Sequence, residues 1–112
     1  MAQGEYISVE KLEKEYEKSD HVKQICVHGD SDKDYLIAIV VPKKKEDEKQ
    51  LLSELEKIHK ESGMNPLEKI GAVVIANEEF SEENDMATNN GKLKRSVIKE
   101  KFKKDIEEAY EG

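Results

Sequence analysis

The sequence predicts a small α+β domain in which about three strands form a sheet flanked by about three helices. Three observations carry that reading. There are three short apolar runs of strand length, three longer segments with apolar residues at helical spacing, and an order that interleaves the two kinds. A chain of 112 residues suits a single domain, 1–112, and leaves no room for a second. No internal repeat or low-complexity tract interrupts it.

Val9, Leu12 and Tyr16 recur at helical spacing and predict a first helix running to about Ser19. Ser8 stands before it as an N-cap, its hydroxyl able to accept from an otherwise free amide of the first turn. Lys11 occupies the place where a capping box needs Glu or Gln, so no box is expected. Val22 to His28, VKQICVH, reads as a strand ended by the turn-rich Gly29-Asp30-Ser31-Asp32. Tyr35 to Val41 is an unbroken run stopped by Pro42, the pattern of a central strand covered on both faces. After a charged connector, Lys43 to Lys49, the residues Leu51, Leu52, Leu55 and Ile58 predict a second helix with Gly63 as its stop. Pro66 restarts the chain, and Ile70 to Ala76 forms a third strand. Asn77 to Gly91 is polar, holds four Asn and lacks periodicity, so a long exposed loop is expected. The last segment predicts one helix with Val97, Ile98, Phe102, Ile106, Ala109 and Tyr110 on one face.

Composition narrows the function classes. Charged residues make up 40% of the chain and the net charge is -7, which opposes general attraction to nucleic acid or anionic lipid. The charge is uneven: Lys92 to Lys104 holds seven cations against one Glu, a local +6 that leaves about -13 elsewhere. Few aromatics interleave with those cations, so the basic run reads as a solvated face before it reads as a nucleic-acid site. Cys26 is the only cysteine, which excludes an internal disulfide and suits a reducing, intracellular setting. The first residues, MAQGEYISVEK, lack the basic and apolar regions of a signal peptide. No apolar run approaches the roughly 20 residues that span a bilayer, so no direct membrane insertion is expected.

Spacing alone assigns no catalytic group. Cys26 and His28 would share a strand face, but with His21 and His59 they match no zinc spacing, so no metal site is expected. Gly91-Lys92 is no phosphate-binding P-loop, which would need glycine at position 86 and a hydroxyl at 93, where Met86 and Leu93 stand. By spacing, Lys92 is a solvated lysine in a basic run.

Three stretches in series change that. GEYISVEKLE, Gly4 to Glu13, QICVHGDS, Gln24 to Ser31, and FSEENDMATNNGKLKR, Phe80 to Arg95, resemble in order and spacing the C-terminal domain of the adenylate-forming enzymes. Within that superfamily they are most similar to the long-chain fatty acyl-CoA synthetases. Two departures stand out. The connector Lys43 to Gln50 is shorter than the family's, and Asn89 replaces the proline that usually follows the threonine. Gly91 directly before Lys92 is closer to the broader superfamily's terminal motif.

The resemblance implies a two-step ligase: fatty acid and ATP give an acyl-adenylate and pyrophosphate, then CoA displaces AMP to give a thioester. It implies that Lys92 is the catalytic lysine of adenylation, with Gly91 positioning its loop. Such a cation stabilises charge building on the phosphoryl oxygens, and a long flexible stem suits delivery from a loop. After the lid rotates, Gly4, Glu5 and Tyr6 would line the passage for the pantetheine arm of CoA. ATP and CoA are the implied co-substrates, with Mg2+ accompanying ATP and none of them held by this domain alone. The implied partner is the enzyme's own N-terminal adenylation domain, which these 112 residues do not contain. On this reading the chain is an excised lid, inactive alone, from an intracellular enzyme that is cytoplasmic or peripherally membrane-associated. Two alternatives stay open: a free-standing α+β interaction module with a basic helix, and the lid of a ligase for a different acid.

Overall fold

The pleat of a strand sends alternate side chains to opposite faces, so the unbroken apolar run from Leu36 to Val41 demands cover on both sides. A computed structural model describes residues 8–30, 33 and 35–111 and shows how that cover is built. The described elements are helix α1 (Val9–Tyr16), strands β1 (Val22–His28) and β2 (Leu36–Pro42), helix α2 (Glu48–Glu61), a 3₁₀ turn (Pro66–Glu68), strand β3 (Ile70–Ile75), and helices α3 (Arg95–Lys101) and α4 (Lys103–Glu111). The sheet order is β1-β2-β3, with β1 antiparallel to β2 and β3 parallel to it. A parallel neighbour needs a crossover, and α2 with its 3₁₀ turn supplies it.

Leu36, Ala38 and Val40 face one way and join Leu12 and Tyr16 of α1 and Leu51 and Leu55 of α2 in the first core. Ile37, Ile39 and Val41 face the other way and meet Ile98, Ile106, Phe80 and Met86 in the second. The central-strand expectation is met.

Three features differ from the expectation. The connector before α2 ends in a cap: Asp47 Oδ1 accepts from the Gln50 amide at 2.8 Å and Gln50 Oε1 from the Asp47 amide at 3.1 Å. That reciprocal box satisfies two donors that the helix start leaves free. The C-terminal segment is two helices, giving four in all among the described residues. Phe102 at φ -105° and ψ 20° breaks it, although Phe102 N donates to Ile98 O and Ile106 N to Phe102 O across the break. The apolar face survives the break, with Ile98 and Ile106 buried. Neither proline nor glycine stands there to announce it.

The third difference is the stretch 77–94, which is ordered rather than an open loop. Phe80, Met86 and Ala87 are buried in the second core. Gln24 on β1 pairs with Phe80 through its side-chain amide, accepting from Phe80 N at 2.7 Å and donating to Phe80 O at 3.1 Å. Asn84 Oδ1 accepts from the amides of Ser81 and Met86, and its Nδ2 donates to Glu79 O at 2.8 Å. A side chain thus replaces the ladder bonds that this backbone lacks. No helix among the described residues is long and apolar enough to cross a membrane.

Candidate functional site: a tight hairpin presenting Lys92

The segment leading to Lys92 folds because of four consecutive turn-forming residues. Thr88 O accepts from Gly91 N at 2.9 Å, Thr88 N donates to Lys92 O at 2.8 Å, and Lys92 N donates to Thr88 Oγ1 at 3.1 Å. Ala87 and Leu93 pair antiparallel on either side. Asn89, Asn90 and Gly91 are therefore a three-residue hairpin loop, whose third residue adopts the left-handed conformation. Gly91 has φ +85°, and a Cβ there would meet nothing within 4 Å, so the position selects glycine by backbone conformation and not by crowding.

Below the turn, Lys94 N donates to Met86 O at 2.9 Å, and Lys94 Nζ meets Asp85 Oδ1 at 2.5 Å. The hairpin is thus seated on the buried Met86 and Ala87. Lys92 itself is exposed, and its ammonium has no hydrogen-bond or ion-pair partner among the described residues. The backbone is held; the charge is left outside.

Beside the hairpin lies a cleft of about 470 Å³ whose lining includes Glu10, Glu13 and Glu17 of α1 together with Gln24, Lys92 and Arg95. Glu13 is buried although ionisable. Arg95 grips it with two nitrogens, Nη1 to Oε2 and Nη2 to Oε1, both at 2.6 Å. Val27 N donates to Oε2 as well, at 2.7 Å. The Glu13 carboxylate holds the Arg95 guanidinium above its usual range. Burial, with Glu13 adding repulsion, pushes the Glu17 carboxyl up. By sequence Arg95 belongs to a solvated basic face; in the structure it is an anchor. Spacing could not have revealed a partner 82 positions away.

Gly4, Glu5 and Tyr6 fall outside the described residues, as do Ser31 and Asp32. The Cys26 thiol is buried 3.8 Å from Arg95 Nη1, and burial, with the Glu13 charge, pushes it up to about 12. His28 is half-buried near the Tyr110 ring, and desolvation together with Lys99 lowers its pKa. His21 meets Glu46 at 2.6 Å, and His59 meets Asn65 O at 2.8 Å. Cys26 and His28 both line a second cavity that Arg95 also borders, while His21 and His59 have partners of their own.

The family described as the AMP-binding enzyme C-terminal domain matches residues 11–92, well over half of the chain. The chain belongs to that family. This AMP-binding enzyme C-terminal domain is 39% identical to a long-chain-fatty-acid–CoA ligase 6 of Rattus norvegicus, over 98% of the chain and 19% of the relative. It is 35% identical to fatty acyl-CoA synthetase B of Dictyostelium discoideum, over 98% of the chain and 20% of that protein. The chain therefore spans about a fifth of the length of the curated relatives it matches. Both alignments run over 132 positions, at least 20 more than the 112 residues here, so each relative carries residues that this chain lacks. Among solved structures, the adenylation domain of a carboxylate reductase from Mycobacterium chelonae superposes with a TM-score of 0.91 at 28% identity, covering all of this chain and 19% of that one. The corresponding domain from Segniliparus rugosus, in complex with AMP and a co-purified carboxylic acid, gives 0.88 at 31% identity over 98% of this chain and 19% of that one. Family membership displaces the alternative of an unrelated interaction module.

Proposed function

We propose that this domain is the lid of an AMP-forming long-chain fatty acid–CoA ligase, and that Lys92 is the lysine it presents during adenylation. The observation that carries the reading is the unpartnered ammonium of Lys92, projected from a hairpin whose backbone is fixed on both sides. Attack of a carboxylate on the α-phosphate of ATP brings two anions together and builds charge on the phosphoryl oxygens. A cation delivered to that point lowers the barrier, and one mounted on a tight turn arrives with little backbone freedom left to lose. The co-substrates would be a fatty acid, ATP and CoA, in a pocket supplied by a preceding adenylation domain. Mg2+, expected with the nucleotide, has no proposed ligand in this chain. Gly4, Glu5 and Tyr6 remain proposed for the CoA face after the lid turns, and Gly91 as the residue that lets the hairpin close. The parent enzyme is proposed to work inside the cell, free or peripherally bound to a membrane.

The test is Lys92→Ala in the full-length enzyme, read by fatty-acid-dependent ATP–pyrophosphate exchange. Adenylation should fall by roughly a hundredfold or more, and Lys92→Arg should recover only part of it. Exchange that continues undiminished without Lys92 would overturn the assignment. The isolated chain should show no turnover; robust ATP-dependent acyl-CoA formation from it would contradict the lid reading.

The carboxylate reductase neighbours favour a second reading, the lid of an adenylate-forming enzyme for a different acid. Substrate profiling of the full-length enzyme, with long-chain against aryl and short-chain acids, separates the two.

A further inference from the structure

The Lys92 ammonium has no hydrogen bond or ion pair among the described residues, so the backbone on either side decides where its charge sits. On the upstream side the Thr88 turn and the Ala87–Leu93 bridge hold it. On the downstream side the chain enters α3 after two residues, and that helix start has no side-chain cap: Lys94 at the N-cap makes no capping hydrogen bond. Two sets of contacts hold this end instead: Lys94, whose amide donates to Met86 O and whose ammonium meets Asp85, and the first residue of the helix, Arg95. Its guanidinium reaches Glu13 of α1 by two 2.6 Å bonds, fork to fork. The Glu13 side chain is 8% exposed and that of Arg95 36%. Glu13 is tied in turn to β1 by the 2.7 Å bond from Val27 N. One ion pair thus joins α3, α1 and β1, within the cleft that Lys92 borders.

Stability alone does not explain a charged pair at this place. Buried ion pairs are often matched or exceeded in stability by apolar residues of similar volume, because desolvation offsets their attraction. What a bidentate Arg–carboxylate pair adds, and an apolar contact lacks, is a fixed distance and orientation between the elements it joins. A reacting group misplaced by about 1 Å can cost on the order of a hundredfold in rate.

We infer that Glu13 and Arg95 are positioning residues for Lys92, locking the first turn of α3 and the hairpin before it onto the α1–β1 body. The inference rests on Lys92 being the adenylation lysine. Lys92 then moves as a rigid arm of the domain, its reach set by the pair together with the hairpin and Lys94 contacts rather than by bonds of its own ammonium.

The experiment uses the full-length enzyme with two conservative variants, each made with and without Lys92→Ala. Glu13→Gln keeps the side-chain volume and an acceptor for Val27 N but removes the charge. Arg95→Lys keeps the charge but loses the fork. With Lys92 present, each should slow ATP–pyrophosphate exchange by about tenfold to a hundredfold. Thioester formation from preformed acyl-adenylate should stay within about threefold. In the Lys92→Ala background the same changes should alter the residual exchange by less than about twofold, because no lysine remains to be misplaced. Equal slowing of both half-reactions, or the same loss with and without Lys92, would make the pair merely structural and overturn the inference. Unchanged exchange in Glu13→Gln, the milder variant, would overturn it too. If Lys92→Ala itself leaves exchange intact, the lid-lysine reading fails first and the positioning role fails with it.

Discussion

Replacing Gly91 by alanine isolates the backbone cost of the turn that carries Lys92. The residue sits at φ +85° and an added Cβ meets nothing within 4 Å, so strain is the only penalty. The left-handed region costs a non-glycine residue about 1–2 kcal/mol. Asparagine, whose short side chain tolerates that region, should cost about half as much. With an unfolding entropy of about 2.1 cal/mol/K per residue, a domain of 112 residues loses about 4 °C of Tm per kcal/mol. Gly91→Ala should therefore lower Tm by about 4–8 °C, and Gly91→Asn by less than about 4 °C. Thermal and urea unfolding followed by circular dichroism reads both, with an unchanged m-value as the control that the unfolded state is the same. An unaltered Tm for Gly91→Ala would mean that the hairpin opens before the rest of the domain. A loss beyond about 3 kcal/mol would mean a crowded site. Neither result is compatible with a strained but uncrowded turn.

Two further outcomes follow from buried groups. The Cys26 thiol, pushed up to about 12 from an ordinary 9.0, holds about a thousandfold less thiolate than a free thiol at pH 8. Alkylation by iodoacetamide should therefore track global unfolding as urea is added, and a native rate within tenfold of a free cysteine peptide would contradict the burial. His28 has a folded-state pKa depressed below its usual 6.5, by desolvation first and Lys99 second. The unfolded chain then binds the proton first, so stability is full above 6.5 and falls as pH drops from 6.5 toward the folded value. His28→Gln should flatten that part of a stability-against-pH curve; an unchanged slope would assign it to other groups.

Much of the fold was legible because it rests on local periodicity. Val9, Leu12 and Tyr16 mark α1, and the unbroken run ending at Pro42 marks a strand buried on both faces. The Ser8 cap and the missing capping box were likewise readable, the hydroxyl accepting from Lys11 N at 3.4 Å. The stretch 77–94 was not legible, because its order comes from Gln24, Asn84 and Ser81 replacing ladder bonds, and polar residues that do so look like any exposed loop. In retrospect Ser81 and Asn84, three apart, and Asn90-Gly91 were turn signals that could have suggested a built hairpin. The split at Phe102 had no local mark at all. At the site, resemblance singles out Lys92, while Arg95 reads as part of a solvated face and Glu13 receives no role of its own. Their pairing spans 82 positions, and one sequence carries no trace of such a contact.

We propose that Lys92 serves one half-reaction and is withdrawn for the other. The most direct measurement is single-turnover thioester formation from preformed fatty acyl-adenylate and CoA, comparing the full-length enzyme with its Lys92→Ala variant. The rate expected for the variant is within about threefold of the unsubstituted enzyme, even though its adenylation is crippled. A loss in the thioester step as deep as the loss in adenylation would mean that Lys92 is not confined to the first half-reaction.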